Sequence, residues 1–411
     1  MEWTPVQRIA FRFCFLVAAL LLFPFPIGMV PATRELAELL TAPLEALALW
    51  CATAVLGLAE PSTRPNGSGD TTYAYVLHAV VLVLAAAGAA VWSVLDRRRT
   101  AYPRLAAAAI VVLRYYLAYV LLSYAFAKLT QFPPPRPERL DQRVGDLSPM
   151  GLMWTFMGAS RPYALFGGLA EALGGVLLLW RRTHVAGALV AMATMLNVVA
   201  LNFCYDVPVK LFSMQLLLAA AAIFAPHAPR LIGAVLGRAA AEVPPRPRRD
   251  RRFERARLAA KVATLALMAY LLHDDIAGSL ARMRPRHELH GIWVVEKLVV
   301  DGVERPPLTT DRERWHKLYF SGRGGGARAV DGPLVRFGAT VKPAERTIEI
   351  TAGPGGVETW RYTRSTDGER TSLVVDGTFR GERIHAELRR EPEPLLLTRG
   401  FHWVNEAPFN R

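Results

Sequence analysis

Glu171 lies in the middle of an otherwise apolar run, from Tyr163 to Trp180. A carboxylate at that depth in a bilayer costs several kcal/mol, roughly, unless it is paired, protonated or hydrated. Arg114 enters another apolar run from the opposite side, about ten residues in, or ~15 Å deep at the helical rise. Equal depth makes an Arg114–Glu171 ion pair the cheapest solution for both charges, completed by Asn197, Tyr124 or a water. Such a pair either fixes helix register or lines a polar interior site. Gly167, Gly168, Gly174 and Gly175 flank Glu171 and permit close helix contact or leave room for a flat ligand ring.

Further polar residues gather at the ends of apolar runs. Lys128 and Gln131 close the run Leu105–Leu129, and Lys128 is long enough to snorkel to the interface. Asn202, Tyr205, Asp206 and Lys210 form a tight connection between two apolar runs. Asp70 precedes the run that starts at Tyr73 and is placed to accept hydrogen bonds from its first turn. Ser148-Pro149 opens a short apolar segment through Gly158 that contains Trp154, with Ser148 as N-cap and Pro149 at the first helical position. That segment is too short to span and reads as re-entrant or interfacial. Arg114, Lys128, Glu171, Asn202, Tyr205, Asp206 and Lys210 therefore form the candidate buried polar cluster, with Asp70, Gln131 and Trp154 as secondary members. Their chemistry suits holding the polar part of a ligand among apolar helices. No metal set accompanies them: Cys14, Cys51 and Cys204 include no C-x-x-C pair, so a dithiol or zinc site lacks its ligands.

Membrane helices must position these residues. Of 411 residues, 52% are hydrophobic and 20% charged, and a span needs ~20 mostly apolar residues. Seven runs qualify: 8–30, 73–95, 105–129, 163–180, 185–204, 209–225 and 259–280. The first lacks an A-x-A cleavage site, holds Pro24 and Pro26, and reads as a retained span. Residues 34–58 carry Glu35, Glu38, Pro43 and Glu45, and read either as an eighth span or as an interfacial amphipathic helix. The net charge of +14 comes chiefly from arginines clustered between runs. That is the pattern that orients membrane proteins rather than one that binds nucleic acid. Placing Arg97–Arg104, Arg181–Arg182 and Arg246–Arg257 in the cytoplasm makes every span from Tyr73 onward alternate. The C-terminal part then lies outside, which for a bacterial inner-membrane protein is the periplasm.

From about His290 the periodicity changes from helical to alternating. Strands are expected at 291–300, 315–320, 327–337, 347–352, 358–365, 372–379, 383–390 and 395–401, separated by turns that include 322–326 and Asp367-Gly368. The chain thus reads as a helical membrane bundle over 1–285 followed by a barrel-like all-β domain over 286–411. The domain's interior either is filled by side chains or holds one small apolar ligand. The aromatic tail from Phe401 to Arg411 is expected to dock, with the outer face of the bundle as one candidate.

Residues 114–128, the 148–158 string, the Glu171 run and the 202–210 string together resemble a DoxX-like membrane protein, over roughly 105–225. The layout is more distantly similar to HTTM and vitamin-K-dependent carboxylase-like proteins, and Gly291-Ile292-Trp293 with Asp301-Gly302 resembles the first strand of lipocalin-type barrels. The DoxX-like likeness implies a redox association, a quinone-like lipid ligand and a redox or envelope protein partner. The alternatives are a non-enzymatic scaffold whose β domain binds a lipid or protein, and a transporter. No inverted repeat is visible to favour the transporter.

Overall fold

The structure is a computed structural model and describes residues 2–237, 251–282, 287–322, 324–352 and 356–409. The stretch 246–250 of the basic loop and the last two residues lie outside that set. The chain divides into two compact units: Met1–Gln131 with Pro162–Leu280, and Phe132–Arg161 with Ala281–Arg411.

The helices in chain order are α1 (Pro5–Leu22), α2 (Arg34–Trp50), α3 (Thr72–Leu95), α4 (Pro103–Gln131), α5 (Pro137–Leu140), α6 (Pro149–Ala159), α7 (Arg161–Leu178), α8 (His184–Cys204), α9 (Lys210–Phe224), α10 (Ala228–Val235) and α11 (Arg251–Arg282). Among the described residues, six stretches are long and apolar enough to cross a membrane: Pro5–Met29, Arg34–Val55, Thr72–Leu95, Pro103–Lys128, His184–Cys204 and Lys210–Val235. The second covers most of 34–58, which forms a helix continued by a π-turn to Val55 and has the length and composition of a span. Two expected spans fall outside the six. α7 carries Arg161 and Glu171 within 18 residues, and α11 carries Lys261, Asp274 and Asp275 within its apolar stretch. The outer surface of this unit is itself apolar. Val83, Phe166, Leu169, Leu196 and Leu218 are all exposed, as lipid-facing side chains would be.

α4 and α7 run antiparallel in close contact. A Cβ on Gly168 would sit 3.0 Å from the Ala125 carbonyl oxygen, and one on Gly175 would sit 3.1 Å from that of Ala118. Glycine at both positions is what lets the two backbones approach. Leu117, Leu121, Leu178, Ala188 and Ile223 fill the core between these helices and their neighbours.

The second unit holds a closed antiparallel barrel. Its strands are β1 (Gly291–Val300), β2 (Val303–Glu304), β3 (Lys317–Ser321), β4 (Gly324–Arg328), β5 (Leu334–Lys342), β6 (Thr347–Thr351), β7 (Glu358–Asp367), β8 (Arg370–Phe379) and β9 (Glu382–Arg390). β1 and β3 to β9 each pair with the next, β1 closes on β9, and β2 is a short addition to β1. Alternation sends one face of every strand inward. In β1 the inward set shifts phase, from Trp293 and Val295 to Leu298, because an irregularity between Val295 and Lys297 inserts one residue. Trp293, Phe337, Trp360 and Phe379 fill the interior, with Trp360 5.7 Å from Phe337 and 5.9 Å from Phe379 between ring centres. This is the side-chain-filled barrel rather than the ligand-holding one.

Two strand expectations change. The glycine-rich 322–326 reads as a turn, yet Gly324-Gly325-Gly326 opens β4, paired with β3 and β5. Gly325 faces Phe337 across the ladder, and a Cβ there would collide with that ring, so the glycine makes room for an interior aromatic. The expected single strand 327–337 is accordingly two. The expected strand 395–401 is instead a short helix, α12 (Leu395–Thr398), followed by a loop.

Residues 132–161 belong to the barrel's unit. Ser148 caps α6 as its sequence implies, accepting from the Gly151 N–H at 3.0 Å with Pro149 at the first position. Asp141, at the end of α5, is the clasp. Its carboxylate takes Lys317 Nζ at 2.7 Å and the Tyr319 hydroxyl at 2.6 Å.

Candidate functional site

The Arg114–Glu171 pair does not form. Glu171, 2% exposed, takes Lys128 Nζ at 2.6 Å, while Arg114 donates from Nε (3.0 Å) and Nη2 (2.7 Å) to the Leu178 carbonyl at the end of α7. The reason is register. With Ala125 against Gly168 and Ala118 against Gly175, Arg114 lies across from about Leu179 and Glu171 from about Leu122. Those levels are eight residues, or ~12 Å, apart along the helix. Arg114 therefore satisfies carbonyls left open at a helix C-terminus, and Lys128 reaches down from the far end of α4 to Glu171. The Oε2 of Glu171 has no hydrogen-bond partner among the described residues.

Asp70 also acts elsewhere than expected. Thr71, not Asp70, caps α3, accepting from the Ala74 N–H at 3.2 Å. Asp70 caps α9 from across the unit, taking the N–H groups of Lys210 (2.8 Å) and Leu211 (3.0 Å). The Gly69 N–H donates to the Pro208 carbonyl at 2.7 Å and holds the approach. Lys210 Nζ bonds Asp206 at 2.7 Å and lies 3.7 Å from Asp70. Asp206 is exposed, with φ near +50°. Tyr205 ends α8, its N–H on the Leu201 carbonyl. Asn202 is buried, and its Nδ2 has no partner among the described residues. Trp154 lies in the barrel's unit, its ring 5.2 Å from that of Phe132. The side chain of Gln131 lies outside the described residues. The expected single cluster is thus an inter-helix ion pair, a helix-end clamp and a cap between segments.

The cavity of the helical unit lies beside Arg114. It has a volume of about 1260 Å³ and a largely apolar wall that includes Phe25, Ile110, Tyr115, Met268 and Leu271. Arg114, Arg181, His184, His227, Arg255 and Lys261 also line it, and among the described residues none of the lining is acidic. The two histidines meet: His184 Nε2 is 3.3 Å from His227 Nε2, and His184 Nδ1 is 2.9 Å from the Arg181 carbonyl. Lys261 Nζ stands 5.9 Å over the Trp180 ring. Of these residues sequence reasoning found only Arg114. Arg181 and Arg255 were legible as topology signals, but their convergence depends on which helices meet. Arg12 was missed too. It is buried in α1 and bonds the Tyr102 hydroxyl (2.6 Å), Ser93 Oγ (2.7 Å) and the Asp96 carbonyl (2.9 Å), tying α1 to the end of α3.

A second, polar hollow of about 470 Å³ adjoins Asp141, lined by Arg143, His316, Lys317, Tyr319 and Arg328 among others. Burial opposes the charge on Lys317, but hydrogen bonds to Asp141 and Glu391 outweigh it and raise its pKa. Burial, reinforced by the bond to Asp141, likewise raises the Tyr319 hydroxyl. Each group is held in the protonated form that the clasp needs. The three cysteines are free, and no group of three or more metal-ligating side chains occurs among the described residues.

No protein-family model matches the chain, and no solved structure is significantly similar to it. A curated relative, "Uncharacterized protein YwoB" of Bacillus subtilis (strain 168), is 37% identical over 99 residues, 24% of this chain. The chain covers 62% of that protein's length.

Proposed function

We propose that the protein is a multi-pass protein of the bacterial inner membrane that holds an amphiphilic lipid with an anionic head group in the cavity of its helical unit. The observation that carries this reading is the lining: an apolar wall with six basic or imidazole side chains and, among the described residues, no carboxylate. Arginine and lysine between helices recognise phosphate oxygens, and the apolar wall accepts acyl chain. Arg181 and Arg255 belong to clusters that the positive-inside rule assigns to the cytoplasm, so the head group would come from the inner leaflet and the barrel would stand in the periplasm. The DoxX-like likeness and its quinone-like ligand are a competing identity for the same cavity. A quinone ring would meet the same donors through its carbonyl oxygens but would not need so many of them.

The test is to extract the lipids that copurify with the full-length protein and identify them by mass spectrometry. Enrichment of acidic phospholipid over the host membrane, lost in an Arg181→Ala/Lys261→Ala variant, is the expected result. A bound quinone, or zwitterionic lipid at bulk proportion, would overturn the anionic-lipid reading. Orientation is tested separately: an alkaline phosphatase fused after Arg411 should be active, and an inactive fusion would reverse the topology.

A further inference from the structure

The barrel's unit ends in a segment that is folded inside out. Its polar groups bond one another. The Arg399 N–H donates to the Leu395 carbonyl at 2.9 Å, Arg399 Nη2 to Asn405 Oδ1 at 2.9 Å, and Asn405 Nδ2 to the His402 carbonyl at 3.2 Å. The Arg399 guanidinium lies 4.4 Å over the Phe409 ring. Its apolar side chains face out. Leu395 and Leu396 are half-exposed, Phe401 is 75% exposed, Trp403 91% and Val404 73%. Phe401 and Trp403 stack edge to face at 5.0 Å, forming one aromatic tip. The sequence leads one to expect such a tail to dock, yet within its own unit these side chains remain open. A contiguous exposed apolar patch on an ordered segment marks a surface meant for something else.

The occupant follows from where the segment leaves the barrel and from its residue types. β1 begins nine residues after α11 ends, a gap that extended chain spans in at most ~30 Å. At that same end of β1, Trp293 pairs with Arg390, the last residue of β9, and the Glu391 N–H donates to the Ile292 carbonyl at 2.9 Å. The segment therefore departs from the barrel end through which the chain arrives from α11. The segment joins exposed Trp and Phe to a half-buried Arg399 and exposed His402 and Asn405. That is the composition of a membrane interface, where an aromatic ring is buried and polar groups stay wet, and not that of a dry aliphatic dimer seam.

We propose that residues 395–409 are an interfacial anchor that inserts Phe401 and Trp403 into the head-group layer of the bilayer crossed by the helical unit. The anchor would hold the barrel against the membrane surface. It requires the helical unit to be membrane-embedded and α11, which is not among the six apolar stretches, to end at that membrane, but it does not depend on which ligand the cavity takes.

Electron paramagnetic resonance on the full chain tests this. Cys14, Cys51 and Cys204 are replaced by Ala, a nitroxide is attached at Glu406→Cys, and the protein is placed in nanodiscs of phosphatidylcholine and phosphatidylglycerol. Power saturation then compares access of oxygen, which partitions into lipid, with that of a water-soluble nickel chelate. The expected result is interface-like, oxygen-favoured access at 406, with a control label at Glu382→Cys, at the opposite end of β9, reading water. The triple change Phe401→Ser, Trp403→Ser and Phe409→Ser should move the 406 label to aqueous values. A water-like label in the unaltered tail, a label shielded from both reagents by protein, or no response to the triple change would each overturn the anchor.

Discussion

Replacing Glu171 by Gln leaves Lys128 charged and unpaired at a site where its side chain is only 12% exposed. Two unit charges 2.6 Å apart attract by about 6 kcal/mol at an effective dielectric constant of ~20. Desolvation of both groups offsets much of that, and removing one partner of such a pair costs roughly 3–5 kcal/mol. Lys128→Met should cost a similar amount, because it strands a carboxylate whose second oxygen already has no partner among the described residues. Glu171→Gln with Lys128→Met removes both charges together and should cost well under the two single losses combined, with a coupling of at least ~2 kcal/mol. The assay is reversible unfolding of the purified full-length protein in detergent, followed by circular dichroism for wild type, both single variants and the double. Additive losses would refute the pairing. A second cycle separates this arrangement from the depth-based one. Arg114→Gln forfeits two charge-assisted bonds to the Leu178 carbonyl, worth roughly 1.5–3 kcal/mol together. Because the two sites are eight residues apart in register, that loss should add to the loss from Glu171→Gln. Strong coupling between Arg114 and Glu171 would mean the α4–α7 register is wrong.

Asp70→Ala should destabilise the helical unit by about 1–2 kcal/mol through loss of the α9 cap, while Thr71→Ala should act separately on α3, both read as shifts in unfolding midpoint. Gly175→Leu drives a side chain into the Ala118 carbonyl and should prevent α4 and α7 from packing, seen as loss of folded protein on size exclusion. Leu169→Ala, on the exposed face of the same helix, should be nearly neutral in that assay. The clasp should fail in alkali. Lys317 and Tyr319 both have folded pKa values raised above their unfolded ones, so their contribution is complete below the unfolded values near ~10 and is lost as pH rises through the folded values. Near-UV circular dichroism should show that alkaline transition in wild type, and Asp141→Asn should move it to lower pH.

The sequence carried the element plan because periodicity reports burial directly. β1 and the inward aromatics of the barrel follow from alternation, and the helices follow from the length of the apolar runs. What alternation misses is a residue whose role is set by its neighbour across the ladder. Gly325 reads as turn because glycine is rare within strands, and only the facing Phe337 ring explains it. The same limit applies between helices. Depth along a helix was legible for Arg114 and Glu171, but depth alone does not give register. Register was fixed by the small residues of α4 and α7, which bring Gly168 to Ala125 and so give Glu171 to Lys128. Lys128 was visible as a residue that snorkels; the direction in which it does so was not.

The cavity shows why a site can be illegible even when most of its residues are conspicuous. Arg181 and Arg255 stand in clusters whose sequence pattern is fully explained by membrane orientation, so nothing marks them as lining. His184 and His227 are each an isolated histidine beside an apolar run, and they acquire meaning only when the start of α8 and the turn after α9 bring their rings to 5.1 Å. Orientation and recognition use the same physics here. Positive charge that is retained at the cytoplasmic end of a helix is also positive charge at the level of anionic inner-leaflet head groups. Where several such helix ends surround an apolar hollow whose lining holds no carboxylate among the described residues, the orienting charges could serve the proposed lipid site without any added residue. That equivalence makes the Arg181→Ala/Lys261→Ala variant informative in two ways. If the charges serve orientation alone, the variant should keep acidic lipid at the wild-type proportion, whatever reporter fusions after Arg99 and Arg182 show. If they serve the cavity, it should keep topology, because Arg97, Arg98, Arg99 and Arg182 remain, and lose acidic lipid.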